Sequence, residues 1–154
     1  ALKLGWDHVD LSNKTLTITD TKNLIPLTLP LSDFVFELLK NRNDSRDTDT
    51  KFVFPGHGKT SHLVEPREAV KKVRKLSNIE FSLHDLRRTF ITNAESLDIP
   101  HYALKQLVNH KQGNDVTASY VISDPERLRK PMERIEAHLL RLCRKDKAKV
   151  VNIK

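Results

Sequence analysis

Three short segments hold the residues best suited to chemistry. In His84-Asp85-Leu86-Arg87-Arg88, at the start of a predicted helix, His84 and Arg87 stand three positions apart and so share one helix face. A helix N-terminus adds a partial positive charge, and with a histidine and a permanently charged guanidinium the set suits an oxyanion or phosphate. Ordinary solvated helices show the same spacing. His110 follows twenty-six residues after His84, and Tyr120 stands ten residues further on within Thr117-Ala118-Ser119-Tyr120-Val121. A lone histidine is commonly structural, and a lone tyrosine commonly packs with its hydroxyl at the rim of a core.

Competing chemistries lack their residues. No Gly-x-x-x-x-Gly-Lys-Ser/Thr loop and no His-Glu-x-x-His pair occurs, and the seven histidines (His8, His57, His62, His84, His101, His110, His138) show no repeated ligand spacing. The expectation is a protein without metal or cofactor. Gly56-His57-Gly58-Lys59 matches a phosphate loop only weakly, because no Ser/Thr-capped helix follows in register, and it reads better as a mobile loop. Asp85 reads as a helix cap rather than a general base.

The chain around these segments has 154 residues, 38% of them hydrophobic and 31% charged, the proportions of one soluble domain. It contains no run of about 18 apolar residues that would span a membrane. Its single cysteine, Cys143, can form no internal disulfide, so a cytoplasmic location is the expectation. The formal net charge of +7 favours a polyanionic partner without specifying one. That charge is uneven: residues 1–124 carry 17 basic and 16 acidic side chains, residues 125–154 carry 10 and 4, so +6 of it lies in the tail. A basic tail of this kind reads as a solvated helix or as a nucleic-acid contact.

The predicted elements make an α+β domain, mainly helical, with a small antiparallel sheet near the N-terminus. Val9–Leu11 and Thr15–Thr19 are alternating, β-branched strands joined by Ser12-Asn13-Lys14, and Leu24–Leu29 follows a second turn at Asp20–Asn23, which puts Lys22 at or near a hairpin. Ser32 can cap a helix through Phe34, Val35, Leu38 and Leu39 that ends in the loop Asn41–Thr50. Phe52-Val53-Phe54 is a short buried run. From Pro66 a helix shows an apolar face of Ala69, Val70, Val73 and Leu76, with Arg67, Lys71, Lys72, Arg74 and Lys75 on its other faces. Ser82 and Asp85 form a capping box for a helix through Leu86, Phe90, Ile91 and Ala94. The next helix, from Pro100, turns Ala103, Leu104, Leu107 and Val108 inward. Gly113-Asn114 breaks the chain before a short segment Val116–Val121. Asp124-Pro125 then opens a long helix with Leu128, Met132, Ile135, Leu139 and Leu142 in a stripe, which is either core or a partner face. Residues 149–154 read as a short strand or a disordered end.

The combination of motifs is more informative than any one of them. His-x-x-Arg at 84–87, Leu-x-x-Leu-Val-Asn-His at 104–110 and Thr-x-x-Tyr at 117–120, in this order and spacing, resembles the tyrosine recombinase (phage integrase) family. The likeness covers the whole chain. Ala1–Leu11 is similar to the segment after the family's first catalytic arginine, Asp20–Asn23 before Pro26-Leu27 to its lysine-bearing hairpin, and Phe52–Pro55 and Phe81–Phe90 fit as well. Leu107–Lys111 with Asp115–Val121 is similar to integrases of prophages and genomic islands. Asn109, where many relatives have glycine, and the ten-residue interval from His110 to Tyr120 are mild departures.

The resemblance implies Tyr120 as nucleophile, Arg87 as phosphate clamp, His84 and His110 as further phosphate-site residues, and Lys22 as general acid. Each role is chemically reasonable. A tyrosine hydroxyl titrates near 10, so it attacks a phosphodiester only when its proton is accepted and the non-bridging oxygens are neutralised. Arg87 offers a planar, permanently charged fork, and a histidine exchanges protons near neutral pH. The resemblance further implies double-stranded DNA as partner, a homo-oligomer of four on that DNA, and catalytic-domain residues throughout 1–154, with the helix and tail of 124–154 at a neighbouring protomer or on DNA. The family's first arginine would lie three residues before Ala1 and its core-binding domain further upstream, so residues 1–154 alone are expected to bind DNA weakly and cleave it little. A non-catalytic DNA-binding module is the alternative, and a metal-dependent nuclease a third reading without a ligand cluster.

Overall fold

The computed structural model describes residues 2–21, 26–47, 49–56, 58–110 and 124–150, with side chains as far as residue 143. A single 3-10 turn, Trp6–His8, leads into β1 (Val9–Asp10), followed by β2 (Thr15–Ile18) and β3 (Leu27–Pro30). The three strands form one antiparallel sheet in sequence order, with Val9 opposite Leu16, Leu16 opposite Leu29 and Thr17 opposite Thr28. The expected sheet is therefore present, with strands shorter than their β-branched runs. Lys14 makes the first turn with φ 48°, and Asp10 fastens it by accepting from the backbone of Ser12 and Asn13, both at 2.9 Å.

Among the described residues five helices follow: α1 (Asp33–Asp44), α2 (Arg67–Ser77), α3 (Leu83–Glu95), α4 (His101–Leu107) and α5 (Pro125–Val150). Among the described residues, no helix is long and apolar enough to cross a membrane. The helix α5 includes Lys149 and Val150, so the short strand expected there does not form at those two positions. It also continues through Pro131, whose ring nitrogen can donate no hydrogen bond to the preceding turn. Tertiary packing compensates, because Leu128 and Ile135, one turn on either side, are both fully buried.

Two hydrophobic clusters organise the described residues. Ala94 of α3, Ala103, Leu104 and Leu107 of α4, and Leu128 and Ile135 of α5 form the helical cluster, with Leu29 of β3 reaching into it. All four residues expected to turn inward from the Pro100 helix, Ala103, Leu104, Leu107 and Val108, are buried. The second cluster is Leu31, Leu39 and Val53 beneath the sheet, flanked by Trp6, Leu16, Phe36 and Phe54. Val53 is completely buried while Phe52 and Phe54 are only half-buried, a refinement of the expected buried run. The helix α5 packs along β3, α3 and α4 and so joins the two halves.

Two local expectations change. Ser32 is the residue before α1, yet its side chain makes no cap hydrogen bond and is buried. The carboxylate of Glu136 on α5 takes its place, accepting from the Phe34 N–H at 2.8 Å. On α2, Ala69, Val73 and Leu76 face solvent, with Leu76 78% exposed, and the inward edge is Pro66, Val70 and Arg74. Those three are spaced by four, one narrow row along a helix, and no residue of α2 is fully buried.

Candidate active site

The site is built on the first turns of α3. Ser82 accepts from the Asp85 N–H at 3.2 Å and Asp85 accepts from the Ser82 N–H at 2.9 Å, so the expected capping box is complete. The Ser82 hydroxyl also donates to the Asp85 carboxylate at 2.6 Å. These bonds from Ser82, side chain first and then backbone, hold the Asp85 carboxyl below its usual range, helped by Arg88 and His84. Its charge is thereby committed to the helix end, as expected of a cap. His84 and Arg87, second and fifth residues of α3, are both exposed.

The second part is the end of α4. The helix closes in a Schellman motif: the His110 N–H donates to the Lys105 carbonyl at 2.9 Å and the Asn109 N–H to the Gln106 carbonyl at 3.0 Å. Asn109 adopts φ 51°, the left-handed conformation for which glycine and asparagine are the common residues. The asparagine that stands where many relatives have glycine thus occupies a position at which it is the next best choice. The motif turns the chain so that His110, exposed, is the first residue beyond the helix.

Arg87 connects the two parts. Its Nη2 donates to the carbonyl of Val108, the cap residue of α4, whose oxygen the helix itself leaves without an intrahelical partner. The bond spans 21 positions in sequence and brings Arg87 to the turn that carries His110. One guanidinium nitrogen is occupied, and the fork retains further donors for an anion. Of the five residues singled out in the sequence, His84 and Arg87 stand on the first turns of α3, and the Arg87 bond to Val108 ties that helix to the turn carrying His110. Lys22 and Tyr120 lie outside the described residues. Thr21, immediately before Lys22, is 5% exposed.

Beside this site a cleft of about 470 Å³ separates α2 from the start of α3, with Val70, Lys71 and Arg74 on one wall and Ser82, Leu83 and His84 on the other. Arg74 donates to the Phe81 carbonyl from Nε at 2.9 Å and from Nη2, and lies 5.8 Å from the Phe81 ring centroid. It was not distinguishable in sequence from the other cations of α2. The available signal was its place four residues after Val70 and eight after Pro66. Among the described residues no group of three or more His, Cys, Asp or Glu side chains is placed to hold a metal ion.

Comparison with known proteins gives the family. A profile described as the phage integrase family matches residues 1–127. The chain is 30% identical over 141 residues to the prophage integrase IntF of Escherichia coli (strain K12), an alignment covering 89% of this chain and 30% of that protein. The chain thus spans about 30% of the length of that relative. The matched region takes in the sheet, the α3 cap, Arg87 and the His110 turn, and the chain belongs to the phage integrase family.

Proposed function

We propose that residues 1–154 are catalytic-domain residues of a site-specific recombinase that cuts and rejoins double-stranded DNA through Tyr120. The observation that carries the reading is the Arg87 bond to the Val108 carbonyl, because it gathers a guanidinium and the His110 turn beside the His84 helix end within a chain of this family. IntF is by name a prophage integrase, which supports DNA integration as the wider role.

In the proposed reaction the Tyr120 hydroxyl gives its proton to one of His84 and His110 as its oxygen attacks the scissile phosphorus. A bond to the 3′-phosphate forms, the bond to the 5′-oxygen breaks, and that oxygen takes a proton from Lys22. Arg87 neutralises the non-bridging oxygens, and His84 and His110 exchange protons or donate hydrogen bonds at the same phosphate. One phosphodiester replaces another, so rejoining by the reverse step needs no nucleotide. The protein acts in the cytoplasm as a ring of four protomers on DNA, with α5 and the basic tail at a neighbouring protomer or on the backbone.

A duplex carrying a 5′-phosphorothiolate at the nicked target strand tests this, with the protein expressed together with any coding sequence that precedes Ala1. The expected product is a 3′-phosphotyrosyl adduct that Tyr120→Phe abolishes while DNA binding survives. An adduct that persists in Tyr120→Phe overturns the nucleophile. Binding with no adduct at all supports the alternative, a non-catalytic DNA-binding module.

A further inference from the structure

We infer that Arg74 is a positioning residue for the phosphate site: its guanidinium fork on the Phe81 carbonyl sets the direction in which α3 delivers His84 and Arg87. The inference rests on the proposed recombinase reading and adds to it a residue that touches none of the reacting atoms.

The chain between α2 and α3 is short and closed on itself. Asn78 ends α2 with φ 55° and its N–H donates to the Arg74 carbonyl at 2.8 Å, so the chain reverses directly beneath the Arg74 side chain. Three residues later the Phe81 carbonyl, immediately before the cap residue Ser82, receives both Nε, at 2.9 Å, and Nη2 of Arg74. Glu80 lies 3.4 Å from Nε, and the Phe81 ring lies near the guanidinium. Arg74 is 35% exposed where Glu80 is 86% exposed, so the carbonyl rather than the ion pair is its enclosed partner.

The capping box fixes Ser82 and Asp85 relative to each other, but it is internal to α3 and cannot orient that helix against the rest of the protein. Ala94 in the helical cluster holds the far end of α3, and Arg74 supplies a second reference at its first turn. Two donors on one oxygen constrain both distance and direction, which a lysine ammonium on a flexible stem does not. The leverage is large. Side-chain tips lie about 6 Å from a helix axis, so a rotation of α3 by about 10° moves them by about 1 Å. A displacement of about 1 Å in a site built on alignment lowers a rate by up to about 10²-fold.

The test compares Arg74→Lys and Arg74→Ala with the parent, in protein expressed with any coding sequence that precedes Ala1. Two quantities are read: the first-order rate of adduct formation on the phosphorothiolate duplex at saturating protein, and the Kd for the same DNA. Both variants are expected to lose about 10- to 100-fold in rate with Kd changed less than about 2-fold. Full rate in Arg74→Lys overturns the inference, because charge alone then suffices. A weaker Kd with an unchanged rate also overturns it and makes Arg74 a DNA-backbone contact. Amide hydrogen exchange over residues 83–87 is expected to accelerate about 10-fold in both variants while Leu104, Leu128 and Ile135 keep their protection. Unchanged exchange there overturns the inference whether or not an adduct forms, whereas failure of the parent to form an adduct counts against the recombinase reading alone.

Discussion

Arg87 of α3 donates a hydrogen bond from Nη2 to the carbonyl of Val108 at the end of α4, two residues before His110. The same side chain therefore closes a helix end and faces the proposed phosphate site, so its removal has two separable effects. Arg87→Ala is expected to lower adduct formation by about 10²–10³-fold and to leave the Val108 carbonyl without its side-chain donor. Arg87→Lys retains a charge without the fork, and the expected loss stays within a factor of about ten of the alanine variant. Single-turnover adduct assays beside thermal unfolding separate chemistry from stability; a Lys variant with parental rate refutes the clamp role.

Asn109 holds the turn that presents His110. Asn109→Gly accepts φ 51° without backbone strain. Asn109→Val places a β-branched side chain in the left-handed region at a cost of about 1–2 kcal/mol. Urea denaturation of the two variants checks the order, and equal midpoints for Gly and Val would contradict the left-handed conformation.

Asp85 makes the α3 cap sensitive to acid. Its carboxyl sits below its ordinary value of 3.8, chiefly through the Ser82 side chain, so its contribution to stability is complete above that value. It is lost as pH falls through the lower folded value, that is, below about pH 4. Asp85→Asn should flatten the stability profile in that window and leave its shape between pH 6 and 8 unchanged. Ser82→Ala removes the reciprocal cap and should cost about 1 kcal/mol at neutral pH. Unfolding of parent and variants across pH 2.5–8 measures both effects.

Glu136 is expected to stabilise α1 from a distance. Its carboxylate accepts from the Phe34 N–H at 2.8 Å, the interaction a local cap residue normally supplies. Glu136→Ala should lower stability by about 1 kcal/mol, and Ser32→Ala, at a residue that makes no cap bond, should not reproduce a capping loss. Faster amide exchange in the first turn of α1 in the Glu136 variant, with α3 unaffected, localises the effect.

Much of this protein was determined by its sequence alone. The period of the apolar residues placed α3, α4 and α5, the Ser82–Asp85 spacing announced the α3 cap, and the order of His84, Arg87, His110 and Tyr120 pointed to the family. The helices and the cap depend on neighbours within a turn or two, and the family motif on order along the chain, both of which the sequence displays directly. Tertiary structure decided the rest. It turned Pro66, Val70 and Arg74 of α2 inward instead of the wider apolar face, because α2 meets the body along one row only. It replaced Ser32 by Glu136 as the cap of α1, and it gave the Val108 carbonyl to Arg87. A bond between residues 102 or 21 positions apart depends on where α5 and α4 settle against their neighbours, and side-chain type at either end does not encode that placement.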